Sequence, residues 1–539
     1  MLTLFNAFKP VTMDDPSYLQ HAQRFASQPL DPYGGEMFLY QTWGPALHNN
    51  APPVSIYWLA LGRRLLGESE FAWKLWLLPW ALVLGLALRS LLARWAPGLE
   101  RPVVWMTLLS PAVLPGFDFM LDIPALALIV AAVAVAAHAF ERGSVAGALA
   151  AGLVAGLAMQ TKYTGVTAPA AILVLGVVLR RPGLALLACG AACVVVVGTE
   201  ALLYERYGDS PLLYYIGRRT RGASGDPRLA LLMPLIRTGG LLGAALVPLG
   251  LVALGASLRT MLLTAAGIAT AVLAFAFLPG GMVARLDGIS GGRFLNFENL
   301  TLGLVVAVTI VVLVAAGRRA VAKREAVDLV LLSWLAIEIV GYFAVSTAPA
   351  ARRVFGALTV TTLFVARAAS IHLKRAPARR PLAWLAAALG VCAGVALWVV
   401  DRDDALAQRA DVGRVIAVAG GTMASAAGTI WYVGNHFGGF QFYAPRAGLH
   451  PAITGRSAMA AGDWLVVPLF VQEKRVQIDR GALEPVTTLA PVFGLPITTR
   501  HAFQGGDTPI RRPDPTWTAA TVYRVVRNGI VVQKDLRPR

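Results

Sequence analysis

The feature that most limits the fold is a series of long apolar runs. They lie near 71–92, 102–117, 123–140, 144–160, 165–180, 183–203, 229–253, 260–278, 299–316, 326–346, 354–371 and 382–400. Most approach the length that a helix needs to cross about 30 Å of hydrocarbon. Of 539 residues, 56% are hydrophobic and 14% charged; a soluble chain carries about a quarter charged. Backbone in lipid must satisfy its own hydrogen bonds, so the runs read as helices. The expected fold is an α-helical polytopic membrane protein with about twelve transmembrane helices.

Alternate connections collect the basic residues: Arg94 and Arg101, Arg142, Arg180 and Arg181, Arg259, Arg318 to Arg324, and Lys374 to Arg380. The positive-inside rule puts this set in the cytoplasm. The net charge of +18 is then explained by these loops and by anionic lipid, with no nucleic-acid partner. The other set faces outward: the first loop 1–70, the turns at 118–122, Lys162 and 352–353, the loops 204–228 and 279–298, and the chain from 401 on. The expected location is the cell (inner or plasma) membrane. Residues 1–13 hold no signal peptide or span, so a first transmembrane helix ahead of this reading frame is expected. The three cysteines lie in apolar runs and the seven histidines are scattered. Neither a disulfide framework nor a metal-spaced set follows, and no metal or cofactor is expected.

The external segments carry the chemistry. Asp14 and Asp15 stand in MDDPSYLQHA, ahead of an amphipathic helix over about 16–26. Tyr18, Leu19, Ala22 and Phe25 share one side of it, with Gln20, Gln23 and Arg24 opposite. Asp15 precedes Pro16 and suits a helix cap; a carboxylate held by backbone N–H groups has a lowered pKa and is a poorer base. Asp14 lies outside that cap and is free to face the bundle. Asp122 opens a span in LDIPALAL and either caps it or orients an acceptor, whereas Asp118 is expected to face solvent. Lys162, the cluster Arg218, Arg219 and Arg221, then Arg285 and Arg293, and Arg352 with Arg353 put positive charge on the side where the positive-inside trend puts little. An anionic ligand at the outer interface accounts for that excess, since Arg forks and Lys point charges suit phosphate.

After Val400 the pattern turns to charged helix and short β-like runs, at 429–433, 464–470, 522–526 and 530–533. Asn528-Gly529 is a hairpin signal. The expected division is a membrane part over 1–400 and a small extracytoplasmic α/β domain over 401–539. It carries aromatic and basic groups suited to touching an acceptor.

The order of these pieces resembles glycosyltransferase family 39, the dolichyl-phosphate-mannose protein mannosyltransferase type, and the related lipid A aminoarabinose transferases. DDPSYLQHA resembles the family's acidic motif in the first external loop, and APPVSIYWLALGRRLLG its Pro-Pro…Tyr-Trp segment. LDIPALAL, GLAMQTKYTGVTAPAAIL, YYIGRRTRG and RRVFGALTV follow in the family's order. The resemblance implies a C-type glycosyltransferase fold. It also implies inverting transfer of a sugar from a polyprenyl-phosphate donor to an acceptor hydroxyl outside the membrane, with no nucleotide sugar and no metal. The implied catalytic carboxylates are Asp14, Asp15 and Asp122, with Asp14 as base. Lys162, Arg218, Arg221, Arg293 and Arg352 are the implied donor-phosphate contacts, and Tyr57 and His48 the acceptor or sugar contacts. Asp15 replaces the family's Glu, and Pro52 stands where the aminoarabinose transferases carry a lysine. A protein, a glycolipid or a cell-envelope glycan all fit as acceptor. The competing class is a transporter or flippase for an anionic lipid or solute. Its charged site belongs near the midplane between repeats; here the charges gather at one face.

Overall fold

The computed structural model describes all residues except 40–41, 50, 222–242, 279–309, 316, 319–321, 323–324, 346–350, 424–427, 435–437, 469–475, 500–512, 514–517 and 535–539. A short helix α1 (Leu2–Ala7) leads to α2 (Asp15–Ser27), a hairpin of β1 (Glu36–Leu39) and β2 (Thr42–Pro45), and α3 (Pro53–Leu66). The membrane part follows: α4 (Glu70–Leu75), α5 (Leu78–Trp95), α6 (Glu100–Leu108), α7 (Asp122–Arg142), α8 (Val145–Met159), α9 (Thr167–Val178) and α10 (Pro182–Tyr207). Then come α11 (Pro211–Arg221), α12 (Leu246–Ala253), α13 (Leu258–Phe277), α14 (Ala326–Val345), α15 (Phe355–Arg375) and α16 (Pro381–Met423).

Among the described residues, six helices are long and apolar enough to cross a membrane, and four apolar ones are shorter. The chain is a multi-pass membrane protein. Helix α7 is its centre: it is buried along most of its length and packs on α5, α8 and α9. The run 102–117 does not form one helix. α6 stops at Leu108, and the chain continues in buried turns through Pro111 and Pro115, since a proline cannot donate to a helix ladder and clashes with the preceding turn. The runs 229–253 and 299–316 lie mostly outside the described residues.

The last membrane helix passes straight through position 401. α16 carries its charged turn inward, where Asp401, Asp404 and Asp411 are buried. Beyond it, a five-stranded mixed sheet has the order β4 (His450–Pro451), β3 (Ile430–Tyr432), β6 (Trp464–Pro468), β9 (Ala520–Val525) and β8 (Leu483–Leu489). The helix α17 (Gly439–Arg446) follows β3 in the chain. The expected hairpin at Asn528-Gly529 does not form. Gly529–Ile530 pairs with Ala458–Met459, and Val532–Lys534 with Val476–Ile478. The Asn528 side chain instead accepts from the Ala461 N–H at 2.7 Å. A local turn signal yields here to strand partners supplied from elsewhere in the chain.

The N-terminal segment is tied to both parts by a buried charge network. The Lys9 ammonium lies 2.5 Å from Asp118 and 2.5 Å from Asp401, and Lys74 lies 3.0 Å from Asp118. Lys74 also donates to the Lys9 carbonyl. Asp118 therefore does not face solvent; it is the hub of this network. Charges this deep persist only when paired.

Candidate active site

Four of the ionisable groups singled out in the sequence meet at one place. Asp14 precedes the first residue of α2, Asp122 opens α7, Lys162 sits between α8 and α9, and Arg352 lies in a single turn before α15. Arg352 donates to Asp14 Oδ2 at 2.6 Å and stands 3.9 Å from Asp122 Oδ2. Lys162 pairs with Asp122 Oδ1. The side chains of Asp14 and Asp122 are 6% and 4% exposed. Asp14 Oδ1 is buried and, among the described residues, has no hydrogen-bond partner. A buried carboxylate oxygen without a donor is costly, and availability for chemistry is one reason for such an exception.

The local sequence explains how these groups converge. Met13 holds a left-handed backbone, φ 54°, which is strained for a residue with a Cβ. Its carbonyl accepts from the Gly438 N–H at 2.9 Å, and Gly438 (φ 98°) supplies a conformation that suits glycine. The turn before Asp14 is thus held by the segment leading into α17. Further contacts join the same two regions: Tyr443 to the Val11 N–H and Glu70, and Arg446 to Glu68. The Pro-Pro segment meets the Lys162 turn directly, because the Val54 N–H donates to the Gln160 carbonyl at 3.1 Å.

Asp15 has a different role from its neighbour and from the one expected. The helix begins at Asp15 with Asp14 at the N-cap position, and the Asp14 side chain makes no cap bond. Asp15 accepts instead from the Phe119 and Thr12 N–H groups, at 3.1 and 3.3 Å. Burial, then the charge of Asp118, pushes its carboxyl well above the usual range, the reverse of the lowered value expected. Burial also pushes Asp118 up, but Lys74 and Lys9 outweigh it and hold Asp118 low. A folded pKa above the unfolded value of about 3.9 means that the native state binds this proton more tightly. Asp15 thus disfavours folding increasingly as pH rises from that value through its folded pKa. The thermal stability of Asp15→Asn relative to the parent is therefore expected to rise from pH 4 to pH 8. Melting curves across that range check this; a flat or falling difference contradicts it.

Asp122 does not cap its helix, since Leu121 holds the N-cap position; it sits in the first turn, where the helix dipole favours an anion. Burial draws the Lys162 ammonium below the usual lysine range, against the opposing pull of Asp122. The small cleft beside these groups is lined also by Thr164, Arg353 and Glu338. Glu338 was not among the expected residues, although an acid inside the apolar run 326–346 is itself a signal. It accepts from the Trp334 indole at 3.0 Å. Gly356 makes room for it: a Cβ there would come within 2.2 Å of its carboxylate. Tyr18, one turn after Asp14, was read only as part of an apolar face. Its hydroxyl feels the charges of Asp14, Arg352 and Asp122, and burial, foremost, pushes the phenol up.

The remaining expected residues lie elsewhere. Tyr57 donates to the Pro29 carbonyl at 2.7 Å and packs on Phe25. His48 stacks on Tyr214 with ring centroids 4.0 Å apart and lies 3.8 Å from Asp209. Neither contact set reaches the Asp14 cluster. Arg218 and Arg221 fall in α11, whose start is bound by Glu200 through the Leu212 N–H; their side chains are outside the described set. Arg293 lies outside the described residues, as does Arg285. Among the described residues, no three His, Cys, Asp or Glu side chains come together as a metal set.

No family model and no curated protein matches the sequence. Solved structures do. ArnT from Cupriavidus metallidurans bound to undecaprenyl phosphate aligns over 87% of this chain and 91% of its own, with 16% identity and a TM-score of 0.41. The oligosaccharyltransferase of Archaeoglobus fulgidus, crystallised with Zn and sulfate, aligns over 87% of this chain and 67% of its own. Its identity is 11% and its TM-score 0.51. The chain therefore shares its fold with that oligosaccharyltransferase.

Proposed function

We propose that the protein is a membrane glycosyltransferase that moves a sugar from a polyprenyl monophosphate to an acceptor hydroxyl, with inversion and with Asp14 as base. The observation that carries this reading is the buried Oδ1 of Asp14, without a partner among the described residues, beside a cleft bearing Lys162, Arg352 and Arg353. The acceptor O–H gives its proton to Oδ1 as the acceptor oxygen bonds to the anomeric carbon. The bond from that carbon to the phosphate oxygen breaks with its electron pair, and the lipid phosphate leaves. Its charge is met by groups already in place, which need no reorganisation in the transition state. In the free protein Arg352 is engaged by Asp14 and Lys162 by Asp122. A donor phosphate competes for both, so that binding releases the base when substrate is present.

The distribution of basic loops supports an extracytoplasmic face for the site, the first loop 1–70 and the chain beyond 400. The contacts of Gly438, Tyr443 and Arg446 with the N-terminal segment and first loop support a common side. The test is transfer of labelled sugar from a polyprenyl monophosphate to an envelope extract by purified protein in detergent. Transfer is expected. Lipid movement in proteoliposomes without any transfer in detergent would favour the flippase class instead.

A further inference from the structure

Helix α2 separates two concavities. Tyr18 looks toward Asp14 and Arg352, whereas Pro16, Gln20 and Gln23 line a second cleft on the other side, as the 100° helical spacing requires. This cleft has a volume of 330 Å³ and lies between α2, the β1–β2 hairpin and α17. That volume is at the low end for small-molecule sites, about 300–1,000 Å³. It reaches the first turn of α2 at Pro16, next to the Asp14–Asp15 pair.

Its walls combine flat apolar faces with fork-shaped polar groups. Trp43 is 39% exposed and meets Phe38 edge-on, with ring centroids 6.2 Å apart. Phe442 lies beneath the Arg446 guanidinium, 3.7 Å from its ring centre. Gln20, Gln23 and Gln441 bring three side-chain amides, and the Gln23 oxygen accepts from the Arg63 guanidinium. At the rim, Arg63 and Arg446 share one carboxylate, Glu68, leaving one positive charge in excess. An acyl chain here would cover polar side chains, Gln20 among them, without offering them a hydrogen bond, a cost of at least about 1 kcal/mol. A sugar ring offers what the walls match: a C–H face for an aromatic ring and adjacent hydroxyls for amide and guanidinium forks.

We propose that this cleft binds sugar rings of the acceptor remote from the reacting hydroxyl, so that the acceptor is a glycan or glycolipid whose chain passes the start of α2. The assignment rests on the transferase reading for the word acceptor, and on the cleft alone for saccharide binding. The joint origin of the walls gives the C-terminal part a role in selection, since α17 supplies one side and the first loop the other.

The test uses the full-length protein in detergent with mannotetraose, chitotetraose and galactotetraose as probes, followed by saturation-transfer NMR. At least one tetraose is expected to bind, to bind Asp14→Asn equally, and to lose about ten-fold in affinity, or about 1.4 kcal/mol, with Trp43→Ala. Trp43→Phe, which keeps a flat ring, is expected to recover most of that loss. The absence of binding by all three, unchanged binding in Trp43→Ala, or displacement of a bound tetraose by a proline-rich peptide at lower concentration overturns the proposal. The two readings fail separately. Sugar transfer with an unchanged acceptor KM in Trp43→Ala removes the cleft and leaves the transferase. Tetraose binding that depends on Trp43, in a protein that never transfers sugar, leaves the cleft and removes the transferase.

Discussion

Asp14→Asn is expected to lower single-turnover sugar transfer by about 10²–10⁴-fold, the range that a positioned general base supplies, while leaving donor binding intact. The amide fills the same space and its oxygen can still accept from Arg352, which now donates to Asp14 at 2.6 Å. What is lost is the ability to hold a proton at Oδ1. The substitution also removes an anion that competes with the donor phosphate for Arg352, so donor affinity is expected to stay level or rise. That opposite movement of binding and turnover separates a lost base from a damaged fold. Asp122→Asn is expected to fall between the parent and Asp14→Asn, because it frees Lys162 from its partner and takes no proton. Asp15→Asn is expected to cost least, since Asp15 bonds to the Thr12 and Phe119 N–H groups. Near-normal turnover in Asp14→Asn beside an inactive Asp122→Asn would move the base to Asp122.

The second large effect belongs to Arg352. Its side chain is 13% exposed and stands between Asp14 and Asp122. Arg352→Ala leaves two carboxylates facing each other without the guanidinium, and breaking buried pairs in this way costs roughly 3–5 kcal/mol. A clear fall in melting temperature and loss of donor binding are expected together. Arg352→Lys keeps the charge but loses the planar fork. It is expected to recover most of the stability and only part of the donor affinity. Recovery of both in full would make Arg352 a counter-ion to the carboxylates rather than a phosphate ligand. Calorimetric donor titration and melting curves on the three proteins decide this.

The site was legible where an ionisable residue stands at the end of an apolar run. Asp122, Lys162 and Arg352 each do, and lipid makes such a position costly enough to stand out; Asp14 was legible instead from the acidic pair ahead of the amphipathic helix over 16–26. Lys9 and Lys74 were not legible. Lys9 lies ahead of every apolar run and Lys74 near the start of the run 71–92, and only the fold brings them to Asp118 and Asp401. The acids of α16 misled for a related reason. DRDDALAQRADVGR looks like the end of a membrane helix, yet the helix continues to Met423 because Asp401 and Asp404 find buried partners in Lys9 and Thr498. Asp15 shows the same limit at a single residue: sequence placed a backbone-bonded carboxylate there correctly, but not which backbone nor the neighbouring Asp118.

The measurement that bears most directly on Asp14 as base is the anomeric configuration of the transferred sugar. If a carboxylate takes only the acceptor's proton, one displacement occurs, and the product linkage is inverted relative to the donor phosphate. If a carboxylate attacks the sugar, two displacements restore the original configuration. With a donor of defined anomeric configuration, the one-bond C–H coupling of the product's anomeric carbon reads the outcome. The account predicts an inverted linkage from the parent protein. A retained linkage would contradict it.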